Sequence, residues 1–322
     1  MKKLKVKFVD FWPGYNPENH FISKVLRKYY DIEIVEEPEY LFFSTFGDQH
    51  YAYNCVKILY IGENVSPDFN ICDYAIGFDH LDFGDRYIRL PLYLVRKEFE
   101  LFPKEKVFDA DDVLNRKFCS IVVSNSRYAD PTRERFFNLL SEYKRVDSGG
   151  MLWNNVGGAV PNKLDFVSRY KFNIAFENSQ VYGYTTEKIM DAMVANSMPI
   201  YWGNKEVYKD FNKESFINAN DFLSLDDLVE YIVKLDSNDD LYVEKLSQPW
   251  IYDESIFDWE NRLMSFFDNI FSKSLSDARY LSDYGMQFLY RQKMKTATRI
   301  YSGLRLAKIS SVIGKIKNTI NR

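Results

Sequence analysis

Apolar positions along this chain follow two periods in turn, one close to 2 and one close to 3.6. LKVKFVDF (4–11) reads as a strand with lysines threaded through it, and PENHFISKVLRKYY (17–30) as a helix with Phe21, Val25 and Leu26 on one face. DIEIVEE (31–37), YLFFSTF (40–46) and VKILYIGE (56–63) predict further strands, the last ending at Glu63, and CDYAIGFD (72–79) is another apolar run. Residues 94–117 are polar and aperiodic, which predicts a connection and a boundary region. The series resumes with strand KFCSIVVSN (117–125), helix DPTRERFFNLLSEYK (130–144), strand YKFNIAF (170–176), helix TTEKIMDAMVAN (185–196) and strand SMPIYWGN (197–204). Helices over SLDDLVEYIVKLDS (224–237) and FDWENRLMSFFDNIF (257–271) follow. Strands alternating with helices predict α/β units with largely parallel sheets. Two of them in tandem form a common frame for holding a nucleotide and a second substrate.

The 322 residues suit two domains, and 46% apolar against 27% charged residues is ordinary globular composition. No run approaches 18 consecutive apolar residues, so no membrane-spanning helix is expected. The lysines of MKKLKVKFVDFW break any signal-type apolar run, so no export signal is expected. Three cysteines are too few for a disulfide framework, and the three histidines (His20, His50, His80) have no metal-site spacing. A reduced, cytoplasmic setting is the expectation.

Net charge −4 hides an asymmetry. Residues 284–322 hold nine Lys/Arg and no Asp/Glu, leaving the body with 33 basic against 46 acidic groups, a net of −13. Such a body repels nucleic acid, and no nucleic-acid partner is expected. In the tail, Ile309, Val312, Ile313, Ile316 and Ile320 fall near one helical face. That pattern suits a basic amphipathic helix on an anionic membrane surface, with a solubilising tail as the alternative.

Chemistry concentrates in FENSQVYGYTTEKIMDA (176–192), in the order strand end, glycine-containing loop, helix start used by phosphate sites. Thr185 or Thr186 could cap the helix. Lys188 in its first turn opposes the helix dipole, which makes sense if an anion sits between. Arg133 or Arg127, in SNSRYADPTRER (124–135), could grip a diphosphate through both guanidinium arms, or simply be solvated. Glu63, closing an apolar strand, suits a general base if its surroundings raise its pKa. The aromatic content of 17% is assigned to core packing, Trp153 and Trp202 included.

Together these segments resemble the α1,3/4-fucosyltransferase family. YKFNIAFENSQVYGYTTEKIMDAMVANSMPIYWGN (170–204) is similar to the family signature of YKF, FEN[ST], Tyr and TEK, and the weaker matches over 60–93 and 124–150 extend the resemblance to roughly residues 1–270. Gly183 stands where many members have an acidic residue, and Thr185 where many have Val. The resemblance implies two Rossmann-like domains facing across a cleft (GT-B). It implies an N-terminal acceptor-binding domain at 1–115, a GDP-fucose-binding domain at 116–272, whose last helix can pack back on the N-terminal domain, and a basic amphipathic helical tail at 273–322. It further implies inverting transfer of L-fucose from GDP-fucose to N-acetylglucosamine in N-acetyllactosamine-type glycans, for lipopolysaccharide or capsule. Carried over by residue, Glu63 is the base, Arg133 and Lys188 bind the diphosphate, Glu187 binds sugar hydroxyls, and Asn178 and Tyr184 make further donor contacts. The donor loop has no DxD-type carboxylate pair, so no obligatory metal is expected, Mn2+ or Mg2+ acting at most on product release. Peripheral attachment to the inner face of the cytoplasmic membrane follows from the tail. The alternatives are a GT-B enzyme with another nucleotide sugar or acceptor position, and a non-catalytic, membrane-associated carbohydrate-binding protein.

Overall fold

The computed structural model describes residues 1–126 and 128–320, with side chains as far as residue 304. Five strands pair in parallel in the order β2-β1-β3-β4-β5, and β6 lies beside β5. They are β1 (Lys3–Val9), β2 (Asp31–Ile34), β3 (Tyr40–Phe43), β4 (Val56–Tyr60), β5 (Tyr74–Gly77) and β6 (Tyr87–Arg89). Helix α1 (Phe21–Tyr29) links β1 to β2 and buries Ile22, Val25 and Leu26. Both faces of β3 and β4 are buried along their whole length, as a parallel sheet covered on two sides requires. The apolar runs YLFF and VKILY are therefore continuous rather than alternating. Strand β4 stops at Tyr60, and Glu63 lies exposed in the loop beyond it. The sequence placed Glu63 at the end of the strand among apolar neighbours; the strand stops three residues before it.

The second sheet is also parallel, in the order β11-β10-β9-β7-β8. After the short α2 (Ala110–Leu114) come β7 (Lys117–Ile121), α3 (Thr132–Tyr143), β8 (Val146–Ser148), α4 (Lys163–Val167) and β9 (Tyr170–Phe176). Then follow α5 (Glu187–Val194), β10 (Met198–Trp202), β11 (Ile217–Asn218), α6 (Leu225–Asp236) and α7 (Asp239–Ser247). All seven residues of β9 are buried. Helix α6 opens on a capping box, Ser224 Oγ accepting from Asp227 N and the Asp227 carboxylate accepting from Ser224 N. The chain closes with α8 (Trp259–Ser272) and α9 (Gly285–Ile320).

The chain forms two compact units: Met1–Gly77 with Asp82–Ile88 and Glu260–Arg322, and Phe78–Leu81 with Arg89–Trp259. Residues 94–117, read from the sequence as a connection, group with the second unit and are anchored within it. Arg89 clamps Asp210 with both arms at 2.7 and 2.8 Å. Tyr93 packs on Phe211, and Phe99 and Phe102 pack on Phe257. Lys106 lies over the Trp250 ring, where burial pushes its ammonium down to about 6. Arg116 donates to the carbonyls of Ala195 and Asn196, closing the carboxyl end of α5 with a cation. Polarity hid this segment's packing, since its anchors are spaced singly.

Helix α8 belongs to the first unit, where Phe267 meets Phe42 and Phe271 meets Tyr40, with Lys28 paired to Glu260 at 2.6 Å. Asp73 ties the following segment down by accepting from the backbone N–H of Lys57, Tyr280 and Leu281. No helix among the described residues is long and apolar enough to cross a membrane. The apolar tail positions Ile309 to Ile320 lie outside the residues whose side chains are described.

Candidate active site

The strand order of the second sheet reverses direction between β7 and β9: β8 lies to one side of β7, while β9, β10 and β11 lie to the other. Carboxyl ends of parallel strands at such a switch point are where open α/β sheets bind ligands. Arg133, in the first turn of α3, and Asn178, just past β9, meet there. Arg133 Nη1 donates to Asn178 Oδ1 at 2.9 Å and Nη2 donates to the Asn125 carbonyl at 2.9 Å. The Asn178 carbonyl accepts from Asp130 N at 2.7 Å, tying the loop before α3 to the end of β9. Arg133 is 2% exposed and its Nε has no partner among the described residues. No carboxylate stands within ion-pair distance of it among those residues. Burial lowers its pKa, and only the charge of Glu177 works against that.

Glu177, fully buried, is the anion that the helix start demanded. Its carboxylate accepts from Thr186 N at 2.7 Å, from Thr186 Oγ1, and from Lys188 Nζ at 2.8 Å. Thr186 occupies the N-cap position of α5, but its hydroxyl serves Glu177 and Lys188 rather than the helix backbone. The misplaced cation inferred from the sequence is thus answered inside the chain first. Lys188 keeps 22% of its side chain exposed. Burial pulls its ammonium down, but the Glu177 and Glu187 carboxylates prevail and raise it.

Gly203 makes room for Glu177. Its φ is +153°, and a Cβ there would lie 2.6 Å from Glu177 Cγ and 2.8 Å from Tyr201 Oη. Gly203→Ala is therefore expected to cost about 1–3 kcal/mol in backbone strain alone, before the collision is relieved by moving Glu177. A lowered thermal midpoint checks this; an unchanged midpoint would show that the loop yields freely.

Glu187 lies 3.7 Å from Lys188. Burial pushes its carboxyl up, but Lys188, Lys163 and Arg96 more than reverse that and hold it at about 2. Unfolded, it titrates near 4.5. Between those values the unfolded chain binds the extra proton, so stability rises with pH there. The contribution is complete above about 4.5 and is lost as pH falls toward 2. Urea midpoints at pH 6 and pH 3 should draw closer together in Glu187→Gln than in the parent chain.

Tyr184 is buried, its ring edge-on to Phe78 at 5.0 Å. The loop preceding it is fixed by Asn204, whose Oδ1 accepts from Gly183 N and Glu206 N, and whose Nδ2 donates to Thr185 Oγ1. Gly183 has φ +78°, and a Cβ would come within 3.1 Å of the Phe78 carbonyl. A side chain at this position would be strained by the positive φ and crowded by the backbone of 78–80. Trp153 stacks on Phe137 and Trp202 packs on Phe176, both structural contacts.

Arg133, Asn178, Tyr184, Glu187 and Lys188 all belong to the second unit, and Glu63 to the first. Arg127 lies outside the described residues. Sequence reasoning offered Thr186 only as a helix cap, gave Glu177 no role of its own and did not single out Asn204. The signal for Glu177 was present: a carboxylate directly after a fully apolar strand and before a Thr-capped helix. Among the described residues no group of three or more His, Cys, Asp or Glu is placed to hold a metal ion.

The model of the α-(1,3)-fucosyltransferase FucT N-terminal domain matches residues 6–96, and that of the glycosyltransferase family 10 (fucosyltransferase) C-terminal part matches residues 114–268. α-(1,3)-Fucosyltransferase FucT of Helicobacter pylori is 37% identical over 285 residues, covering 76% of this chain. The chain spans 59% of that relative's length. A crystal structure of α1,3-fucosyltransferase matches with a TM-score of 0.77 at 31% identity, over 88% of this chain and 93% of that one. One with GDP-fucose matches with a TM-score of 0.74 at 32% identity, over 88% and 94%. Extended over both units, these likenesses place the chain in the α1,3-fucosyltransferase family, glycosyltransferase family 10.

Proposed function

We propose that the chain transfers L-fucose from GDP-fucose, with inversion, to O3 of N-acetylglucosamine in N-acetyllactosamine-type glycans of a lipopolysaccharide or capsule. One observation carries the reading: the buried Arg133 guanidinium at the switch point, without a carboxylate partner and held by Asn178, as a diphosphate site requires. The solved relative named with GDP-fucose supports the donor. In the reaction, a Glu63 carboxylate oxygen takes the proton of the acceptor hydroxyl as that oxygen bonds to fucose C1. The bond from C1 to the β-phosphate oxygen breaks, and its electron pair leaves with GDP. Arg133 and Lys188 stabilise the growing phosphate charge, each preorganised donor being worth about 3–4 kcal/mol of barrier. GDP so neutralised departs without an acid and without an obligatory metal.

The acceptor is assigned to the first unit, whose sheet reverses between β1 and β3. Trp12 follows β1 and Phe46 follows β3; both are about half exposed and their rings meet edge to face at 6.4 Å. Such a ledge suits the apolar face of a pyranose. Attachment of the protein to the inner face of an anionic cytoplasmic membrane is assigned to residues 284–322 by their charge.

The test is GDP release from a panel of nucleotide sugars, with N-acetyllactosamine and lacto-N-biose as acceptors, with and without EDTA. Release from GDP-fucose alone, requiring N-acetyllactosamine and persisting in EDTA, is the expected result. Release from another donor would establish the second reading, a transferase for a different nucleotide sugar. No release from any donor, with GDP-fucose still bound in calorimetry, would overturn catalysis on these acceptors.

A further inference from the structure

The first unit holds its own concentration of positive charge. A cavity of about 290 Å³ is walled by Lys57 of β4, Arg279, and Arg291 and Lys295 of α9, with Asp283 as the carboxylate in its lining and Phe288 among its apolar parts. Four cations thus face one acid. Lys57 and Arg291 are more than nine-tenths buried. The Lys57 ammonium has no hydrogen-bond or ion-pair partner among the described residues, and its backbone N–H is the group that Asp73 takes. Arg291 Nη2 donates to the Ser282 carbonyl at 2.6 Å, while its Nη1 is buried with no partner. Arg279 Nη2 donates to Asn54 Oδ1 at 2.8 Å, and its Nε is likewise buried and unpartnered. Asp283, half exposed, is shared between Arg279 at 3.3 Å and Arg291 at 3.7 Å. Lys295 Nζ donates to the Tyr51 carbonyl at 3.1 Å. The other carboxylate at hand, Asp73, is committed to three backbone N–H groups.

Buried cations without counter-charge are unfavourable, and chains keep them where an anion completes the set. We infer that this cavity binds a phosphate group, using the ammonium of Lys57 and the guanidinium groups of Arg279 and Arg291. A phosphate suits it better than a carboxylate for two reasons. Its charge comes nearer to cancelling the surplus of three, and its oxygens point in several directions to match donors from β4 and α9. The cavity is larger than a bare phosphate needs, and Phe288 offers an apolar wall for an esterified carbon. Burial lowers the Lys57 ammonium to about 8, and a bound phosphate lifts it again. Free phosphate and a phospholipid headgroup present the same chemistry; the inference is independent of sugar transfer.

The test uses the full chain with GDP saturating, so that the second unit's site is filled. Inorganic phosphate is titrated by calorimetry, and vesicles of phosphatidylglycerol and of phosphatidylcholine are tested by co-sedimentation. Phosphate binding that weakens at least tenfold in Lys57→Met and Arg291→Met but holds in Lys293→Gln, outside the cavity wall, is the expected result. If phosphate also competes with phosphatidylglycerol vesicles and the same variants release them, the source is a headgroup. If vesicle binding ignores the variants, the source is free phosphate. Loss of phosphatidylglycerol binding in the variants without measurable phosphate binding also supports the headgroup. Should the buried variants fail to fold, as judged by lost GDP binding, Lys295→Gln carries the same comparison. Absence of binding to both probes, or binding indifferent to these variants, overturns the inference.

Discussion

Glu63→Gln is expected to lower transfer by about 10²- to 10⁴-fold, the usual worth of a positioned general base, while leaving GDP affinity unchanged. The amide keeps the shape of the side chain and removes only its capacity to take a proton. Affinity should hold because the proposed diphosphate ligands, Arg133 and Lys188, belong to the other unit. Single-turnover transfer from GDP-fucose, with calorimetry of GDP, separates the two effects. Undiminished turnover would remove Glu63 from the chemistry and turn attention to Asp79 or Asp82, the carboxylates of GFDHLD (77–82) that follow β5. A parallel loss of GDP affinity would show that Glu63 acts on the donor instead.

The second large effect is expected from Glu177→Gln. The carboxylate is the charge that compensates Lys188 and, at longer range, Arg133. Its replacement leaves Lys188 with Glu187, at 3.7 Å, as its remaining ion-pair partner among the described residues, and takes from Arg133 the charge that favours its cation. Removing one partner of a buried pair costs about 3–5 kcal/mol. At about 2–4 °C per kcal/mol for a domain of this size, the melting midpoint should fall by roughly 6–20 °C. GDP should recover part of this, because its phosphates supply the missing negative charge. Calorimetric scans with and without GDP check both statements. A midpoint within a degree or two of the parent, or no added rescue by GDP, would mean that Glu177 is not the keystone of the cation pair. Lys188→Ala is a useful contrast, since it removes charge from the same cluster and should weaken GDP binding directly.

Much of this was legible from residue order. Continuous apolar runs such as YKFNIAF announced strands buried on both faces, and the alternation with helices announced parallel sheets. Lys188 was picked out by its place at a helix start, Arg133 beside Arg127 as an alternative, and Asn178 through the family resemblance; the sheet's switch point brings Arg133 and Asn178 together. What escaped was what depends on neighbours distant in sequence. Strand β8 is three residues of a VDSGG stretch that reads as a turn, and becomes a strand only beside β7. Residues 94–117 looked unattached because their anchors, such as Lys106 to Trp250 and Arg116 to Ala195, need partners about eighty residues away or more. Glu177 was visible as a residue but not as a counter-ion, because its pairing depends on the turn that Gly203 permits. Exposure of Glu63 was hidden by the apolar run leading up to it.

The return of α8 to the first unit bears on how the protein is made. On the ribosome, β1 to β5 emerge early, with Tyr40 and Phe42 presented to partners that do not yet exist. Phe267 and Phe271, which cover them, follow after the whole second sheet has been synthesised. At about 5–20 residues per second that interval is on the order of ten to forty seconds. A nascent chain with an uncovered aromatic sheet for so long is a natural client for a chaperone, whereas the second unit, contiguous apart from four residues, can close as soon as it leaves the exit tunnel.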